Sequence, residues 1–416
     1  MIDRALLKDN PDIVIQGLAT KDPSFDVSTL IKLDGQVRHL RVEVETLRKK
    51  KNELAAQGKS GVTDSMREES ARLSKLLKDK EHELETLEQE FKALYLTVPN
   101  LPAPDVPMGG KESNKVVKIV GTKKEFSFSV KNHTELAQKL GWIDFVTPVK
   151  LAGNNFILYK NEGVSMIYAL AMLMLKNNVK HGYQMMLPPA VVNEQSLIVA
   201  GNFPKFKDDV YAIEKDGLYL IPTAEVSLAN VYRDTILKND ELPIRMTAWT
   251  PCFRREAGGY GAQERGLIRI HQFEKVELFT LCEPQHSADE QDRMIACAES
   301  ILKDLDLHYR ISLLAGQDCS FSSAKTFDIE VWLPGQQSYY EVSSISNCTD
   351  FQARRGLIRY KSKTQDKAEL VHTLNGSSFA LSRIMVALIE TYQQADGSVL
   401  IPDVLKKEGV WINAQS

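Results

Sequence analysis

Cysteine is scarce and unpaired in this chain: there are five among 416 residues, none in a Cys-x-x-Cys spacing. That excludes a disulfide framework and a zinc ribbon and points to reduced thiols. Long apolar runs are missing too. The longest, MIYALAMLML at 166–175, is too short to cross a bilayer and predicts a buried helix. No charged segment followed by an apolar one opens the chain, so a cytoplasmic protein with no membrane partner is expected. An excess of charge is also lacking. The 52 Lys and Arg against 55 Asp and Glu leave a net charge of −3, so any surface for nucleic acid must be local. The length allows roughly two or three domains and at least one large core.

What is present differs in kind between the first hundred residues and the rest. Leu33, Val37, Leu40, Val44, Leu47 and Leu54 follow a 4,3 spacing in which Lys51 fills the missing step. Leu73, Leu77, Lys80, Leu84, Leu87, Phe91, Leu94 and Val98 repeat it. Each series is a heptad seam. The turn-forming segment QGKSGVTDS between them lets the second helix fold back, which predicts an antiparallel helical hairpin over about 27–98. Its limbs of roughly thirty residues would extend on the order of 45 Å. Charges within 34–97 balance at thirteen of each sign, but Arg48, Lys49, Lys50 and Lys51 cluster near the tip. An ordinary solvated coiled coil accounts for such charges equally well. The segment PNLPAPDVPMGG, with Pro99, Pro102, Pro104 and Pro107, stops the helix and reads as a linker over 101–114. The expected domains are therefore 1–100 and 115–416.

Beyond the linker, YLIPTAEV, RMTAWTPCFRRE, LIRIHQFEKVELF, KTFDIEVWLP and SYYEVSS read as strands separated mostly by loops. An antiparallel sheet flanked by helices, an α+β fold, fits this better than a doubly wound one. The stretch 253–279, FRREAGGYGAQERGLIRIHQFEKVELF, is the densest in chemistry. Strand alternation puts Ile268, Ile270, Val276 and Leu278 on one face and Arg269, His271, Phe273, Lys275 and Glu277 on the other. Arg254 and Glu256 share a parity in the run before. Two strands joined by the loop Ala257 to Gly266 would form a long-looped hairpin with a polar face of guanidinium groups, one ring and carboxylates. A solvated edge hairpin would carry the same charges. Cys252 and His271 also share the polar parity, as a cysteine hydrolase would need, but nothing in the sequence activates the thiol. Packing for Cys252 and structural hydrogen bonding for His271 are the plainer readings.

Three segments stand in a telling order. HGYQMMLPPAVV at 181–192 follows the apolar helix around 163–178; then comes the hairpin; then HTLNGSSFALSRIMVALIETYQ at 372–393, read as a turn followed by a helix with Arg383 near its start. This order resembles the three signature motifs of class II aminoacyl-tRNA synthetases. With TAEV, EVSSISNC, FQARR and the amino-terminal arm, nearly the whole chain resembles the bacterial-type seryl-tRNA synthetases. Each motif is weak alone; the order and the arm make the match specific. The resemblance implies activation of L-serine with ATP to seryl-adenylate, then transfer to tRNA(Ser), with tRNA(Sec) as a further substrate.

It also implies roles. Arg254 and Arg383 would be catalytic, Arg254 gripping the α-phosphate and carboxylate, Arg383 above an adenine that rests on Phe273. Glu256 would meet the adenine amino group, Arg269 would be a second phosphate cation, and Arg255, Val342 and Ser343 would complete the ATP site. Glu341 and Ser344 would hold Mg²⁺, a hard ion that takes oxygen donors. Thr223, Ala224 and Glu225 would bind the serine ammonium end, with Glu277 and Ser377 at its hydroxyl. A buried partner for that hydroxyl discriminates against alanine better than shape does. The arm, through Arg48 to Lys51, would contact tRNA.

Departures from the family pattern are visible as well. NGSSFALSR stands where NGSGLAVGR is usual, placing Ser378 and Ser382 where two glycines beside the nucleotide are expected. Arg255 occupies a position where a small residue is common, and VAGNFPKF replaces GTGQLPKF. Ligases that load a carrier protein, and a non-catalytic tRNA-binding paralogue, remain as rival readings; the former lack the arm. A homodimer is expected, because the helix around 163–178 has Met166, Ile167, Leu170, Leu173, Met174 and Leu175 on nearly all sides.

Overall fold

The computed structural model describes residues 1–57, 61–256, 266–361 and 367–408. It forms two compact units, Met1–Leu101 and Pro102–Ser416.

The first unit is helical. Two long helices, α1 (Val27–Gln57) and α2 (Asp64–Leu96), run antiparallel. Thr63 caps the second, its hydroxyl accepting the N–H of Met66 at 3.3 Å. Arg41 pairs with Glu88 and Arg48 with Glu81. Both pairs of numbers sum to 129, as an antiparallel register requires, and the two rungs lie one heptad apart. At the base, Leu7, Val14 and Leu18 from two short helices pack on Leu30, Val37 and Phe91. Buried Asp34 is held there by Arg4 at 2.6 Å and Arg38 at 2.7 Å. Burial thins toward the tip, where Leu47 and Leu54 are only partly covered.

The second unit is built on an eight-stranded sheet. In chain order its strands are β1 (Lys115–Val120), β2 (Gln184–Met186), β3 (Ile244–Phe253), β4 (Gln272–Cys282), β5 (Tyr309–Leu313), β6 (Lys325–Leu333), β7 (Ser338–Thr349) and β8 (His372–Ala380). They lie in the order β1-β5-β6-β7-β8-β4-β3-β2, and all neighbours are antiparallel except β2 and β3. One face is covered by α3 (Glu162–Lys180), α5 (Ser287–Asp304) and α6 (Leu381–Thr391), which share a single core with Val276, Leu278, Ile345 and Phe379 of the strands. On the other face, α4 (Ala224–Leu228) covers the far ends of β3 and β4 through Met246, Ala248, Phe279 and Leu281.

Several sequence expectations change here. The strand read as LIRIHQFEKVELF begins only at Gln272; Leu267 to His271 are turn and bend, so the alternation assigned to Ile268 and Ile270 does not hold. The TAEV part of YLIPTAEV is helical, because the Thr223 hydroxyl accepts the N–H of Glu225 at 3.1 Å and starts α4. The turn read at 372–380 is strand β8, paired on both sides. The loop Ala257 to Gly266 lies, save Gly266, outside the described residues. The proline-rich segment is a strap and not a free linker: Val106 is buried against Leu314 and Cys319, and Ala103 N–H donates to the Ala324 carbonyl at 2.8 Å. Finally, Met166, Ile167, Leu170, Leu173 and Met174 are buried within the one subunit, between sheet and helices. The large apolar residues that α3 leaves exposed are Val164, Tyr168, Met172 and Val179, and Met185 and Leu187 are exposed at the edge strand β2.

Candidate active site

A cavity of about 570 Å³ opens on the sheet face that α4 leaves uncovered. The alternation of β4 explains its wall. Val276 and Leu278 enter the core, while Phe273, Lys275 and Glu277 point into the cavity. The loop preceding β4 adds Ile268, Arg269 and Ile270, so there both parities line the wall.

One end of the cavity is acidic and almost dry. Glu277 is 1% exposed. Its Oε2 accepts the Thr223 hydroxyl at 2.7 Å and is ion-paired with the Lys275 ammonium, itself buried. Two donors on one oxygen fix the carboxylate's orientation. Glu225 lies beside it, its Oε1 accepting from Gln352 at 2.7 Å and Asn375 at 3.0 Å. Desolvation, followed by the nearby Glu277 charge, pushes the Glu225 carboxyl up to about 7, although the Lys275 charge and the bond from Gln352 oppose this. This end therefore holds two carboxylates side by side, one of them, Glu225, raised to about 7.

The other end is cationic. Arg254 donates from Nε to the Pro222 carbonyl at 3.3 Å and sits 5.3 Å from the centre of the Phe273 ring. Arg269 is paired with Glu256 at 2.6 Å. Arg383 sits at the start of α6 and lines the same cavity. It bonds the Glu341 carboxylate at 3.0 Å and lies 5.3 Å from the Tyr340 ring.

Glu341 and Ser344 reach the same cavity from β7, and Asp328 stands behind them on β6. Burial and the Glu341 charge hold the Asp328 carboxyl well above its usual range, while a bond from Ser344 opposes them. Its Oδ1 is buried without a hydrogen-bond partner. Among the described residues no cluster of three or more His, Cys, Asp or Glu forms a metal site. The Glu341 carboxylate and Ser344 hydroxyl nonetheless fit Mg²⁺, which takes few ligands from protein and the rest from phosphates and water.

Other expected residues fall elsewhere. Ala224 is buried behind the wall, and Ser343 is buried with its hydroxyl donating to the Ser377 carbonyl. Arg255 is exposed, its N–H on the Asp209 carbonyl. Val342, Ser377 and Ser382 do line the cavity; Ser378 faces away from it, into the core. Cys252 is buried, which pushes its thiol up and away from reactivity. His271 shares a hydrogen bond with the Arg254 carbonyl at 2.9 Å. Sequence reasoning did not single out Gln352 and Asn375, which no local spacing marks, or give a role to Lys275, whose parity with Glu277 was the available signal. Of the tip cations, Arg48 is committed to Glu81 and Lys51 is half-buried on the seam, leaving Lys49 and Lys50 outward.

Comparison with known proteins agrees with this geometry. The family description "tRNA synthetase class II core domain (G, H, P, S and T)" matches residues 206–392, and "Seryl-tRNA synthetase N-terminal domain" matches 1–102. The "Serine--tRNA ligase" of Chlamydia abortus is 44% identical over 416 residues, covering 98% of this chain and 97% of that protein. That of Syntrophobacter fumaroxidans is 45% identical over 414 residues, covering 98% of each. The crystal structure of seryl-tRNA synthetase from Pyrococcus horikoshii complexed with ATP superimposes with a TM-score of 0.93 at 33% identity, covering 98% of both chains. An arm with a heptad register, a sheet face split into acidic and cationic halves, and relatives matched from end to end lead to one conclusion: the chain belongs to the seryl-tRNA synthetase family.

Proposed function

We propose that the cavity runs the serine–tRNA ligase reaction with its two ends divided between substrates. In the first step the serine carboxylate attacks the α-phosphate of ATP, a new P–O bond forms, and pyrophosphate leaves. Charge grows on phosphoryl oxygens, so the site needs fixed cations more than a proton-transfer base. Arg254 takes the α-phosphate and carboxylate, Phe273 carries the adenine, Glu256 meets its amino group, and Arg269 and Arg383 serve the outer phosphates. Glu341 and Ser344 would hold Mg²⁺, which when bound neutralises phosphate charge. For Arg383 to reach a phosphate, its pair with Glu341 must exchange.

Glu225 receives the serine ammonium and Glu277 the hydroxyl. The observation that carries this reading is the Glu277 carboxylate, buried and pinned at Oε2 by Thr223 and Lys275, with Oε1 assigned to the substrate. In the second step a tRNA hydroxyl takes the seryl group as an ester, the acyl–phosphate bond of the adenylate breaks and AMP leaves; tRNA(Ser) is the acceptor, with tRNA(Sec) as a further substrate, and the helical arm holds the tRNA. The protein acts in the cytoplasm as a homodimer. Exchange of labelled pyrophosphate into ATP is expected to require serine and to be lost in Glu277→Ala. Exchange without serine dependence would overturn the reading.

A further inference from the structure

Strand β8 changes the side it presents halfway along. Asn375 and Ser377 line the cavity, then Ala380 and, at the start of α6, Ser382. Odd positions give way to even ones. The change occurs at a β-bulge: Val276 opposes Phe379 and Glu277 opposes Ser377, leaving Ser378 without a counterpart on β4. Upstream of it the strand serves the serine half of the cavity, downstream the nucleotide half.

This bulge is tied down from outside the sheet. The Ser378 hydroxyl donates to Asn178 Oδ1 at 2.8 Å, Asn178 Nδ2 donates to Thr247 Oγ1 at 2.9 Å, and the Thr247 hydroxyl donates to the Glu277 carbonyl at 2.8 Å. The Cys297 thiol also reaches Asn178 Oδ1, at 3.3 Å. Asn178, Ser378 and Thr247 are all 0% exposed. One carboxamide on α3 therefore fastens β8, β3 and β4 together at the level where Ser377 and Glu277 face the cavity. A strand that slips by one residue turns every side chain to the other face.

We propose that Asn178 is a positioning residue for serine recognition: it pins the bulge at Ser378, and through it the aim of Ser377 and Glu277, without touching substrate. The proposal rests on the assignment of Glu277 to the serine hydroxyl. The hydroxyl of Ser378, which looked from the sequence like an intrusion beside the nucleotide, is on this view one half of the fastening.

The test is pyrophosphate exchange on the full-length protein with serine and ATP varied separately. Asn178→Ala is expected to raise KM for serine about tenfold and KM for ATP by less than about twofold, since it takes the acceptor from the Ser378 hydroxyl and the Cys297 thiol and leaves the contacts of Arg254 and Arg383 in place. Adding Ser378→Gly should recover about threefold of that loss, because it removes the hydroxyl left unpaired. A merely structural role would lower the melting temperature with no such split between the two KM values and no rescue. A folded Asn178→Ala protein whose serine KM stays within about twofold of the parent, or whose two KM values rise together, overturns the proposal. Should Asn178→Ala not fold, Ser378→Ala is measured in its place; about a threefold rise in serine KM supports the fastening and no change overturns it. Glu277→Ala runs alongside: unaltered serine activation there would sink the serine-pocket assignment, a failure distinct from that of Asn178.

Discussion

At the scale of single residues, Glu225 has the most to say about pH. Its carboxyl is raised to about 7, against about 4.3 in an unfolded chain. Between those values the folded protein binds a proton that the unfolded chain has lost. This group's contribution to stability is thus present below the unfolded value and declines as pH rises toward 7. A serine ammonium wants the opposite state, the ionised carboxylate. Serine affinity is therefore expected to fall as pH drops below 7, by up to about tenfold per unit, while the ligand-free protein gains stability. Titration calorimetry and thermal unfolding at pH 6 and 8 check the two signs, and Glu225→Gln should flatten both. A serine affinity independent of pH in that range would remove Glu225 from the ammonium role. Much of this chemistry was legible from residue type and parity, since Phe273, Lys275 and Glu277 do share the cavity face. The Gln352 and Asn375 bonds to Glu225 were not, because they join segments more than a hundred residues apart.

Elements were legible where their determinants are local. The heptad seams became α1 and α2 because a coiled-coil contact repeats within the helix that makes it. β8 was missed because NGSS has low strand propensity on its own; pairing with β4 and β7 on both sides supplies what the sequence lacks. The small core at the hairpin base shows where the arm can be cut. Removing residues 42–87 and joining Arg41 to Glu88 through a short flexible linker spares Leu30, Val37 and Phe91. Serine-dependent pyrophosphate exchange should survive nearly intact and tRNA charging should collapse. If the shortened protein charges tRNA as fast as the parent, the arm is only a spacer. Within the intact arm, Lys49 and Lys50 face outward, so replacing both with glutamine should reduce the slope of log affinity for tRNA against log salt by about 1.4 if both meet single-strand-like phosphates.

At the scale of the whole molecule, the proposed dimer has to pair on what the core leaves uncovered. The apolar residues that suggested a partner for α3 are consumed by the subunit's own core. Exposed instead are Tyr168, Met172 and Val179 with Met185 and Leu187, the last 90% exposed, an apolar surface on which the proposed dimer would pair. Sedimentation at micromolar concentration is expected to give the mass of two chains, and Tyr168→Asp with Leu187→Asp to give one. A parent protein that sediments as a monomer would refute the dimer. The rungs of the arm impose a rule on how such proteins can differ in size. Arg41–Glu88 and Arg48–Glu81 step by seven residues in opposite directions along the two limbs. An insertion in one limb alone would put every later rung out of phase, whereas seven residues added to both would preserve the pairing and move the tip by about 10.5 Å. Reach in this architecture therefore changes in matched steps, one helix copying the other, and the heptad is the step that leaves both seam and rungs undisturbed.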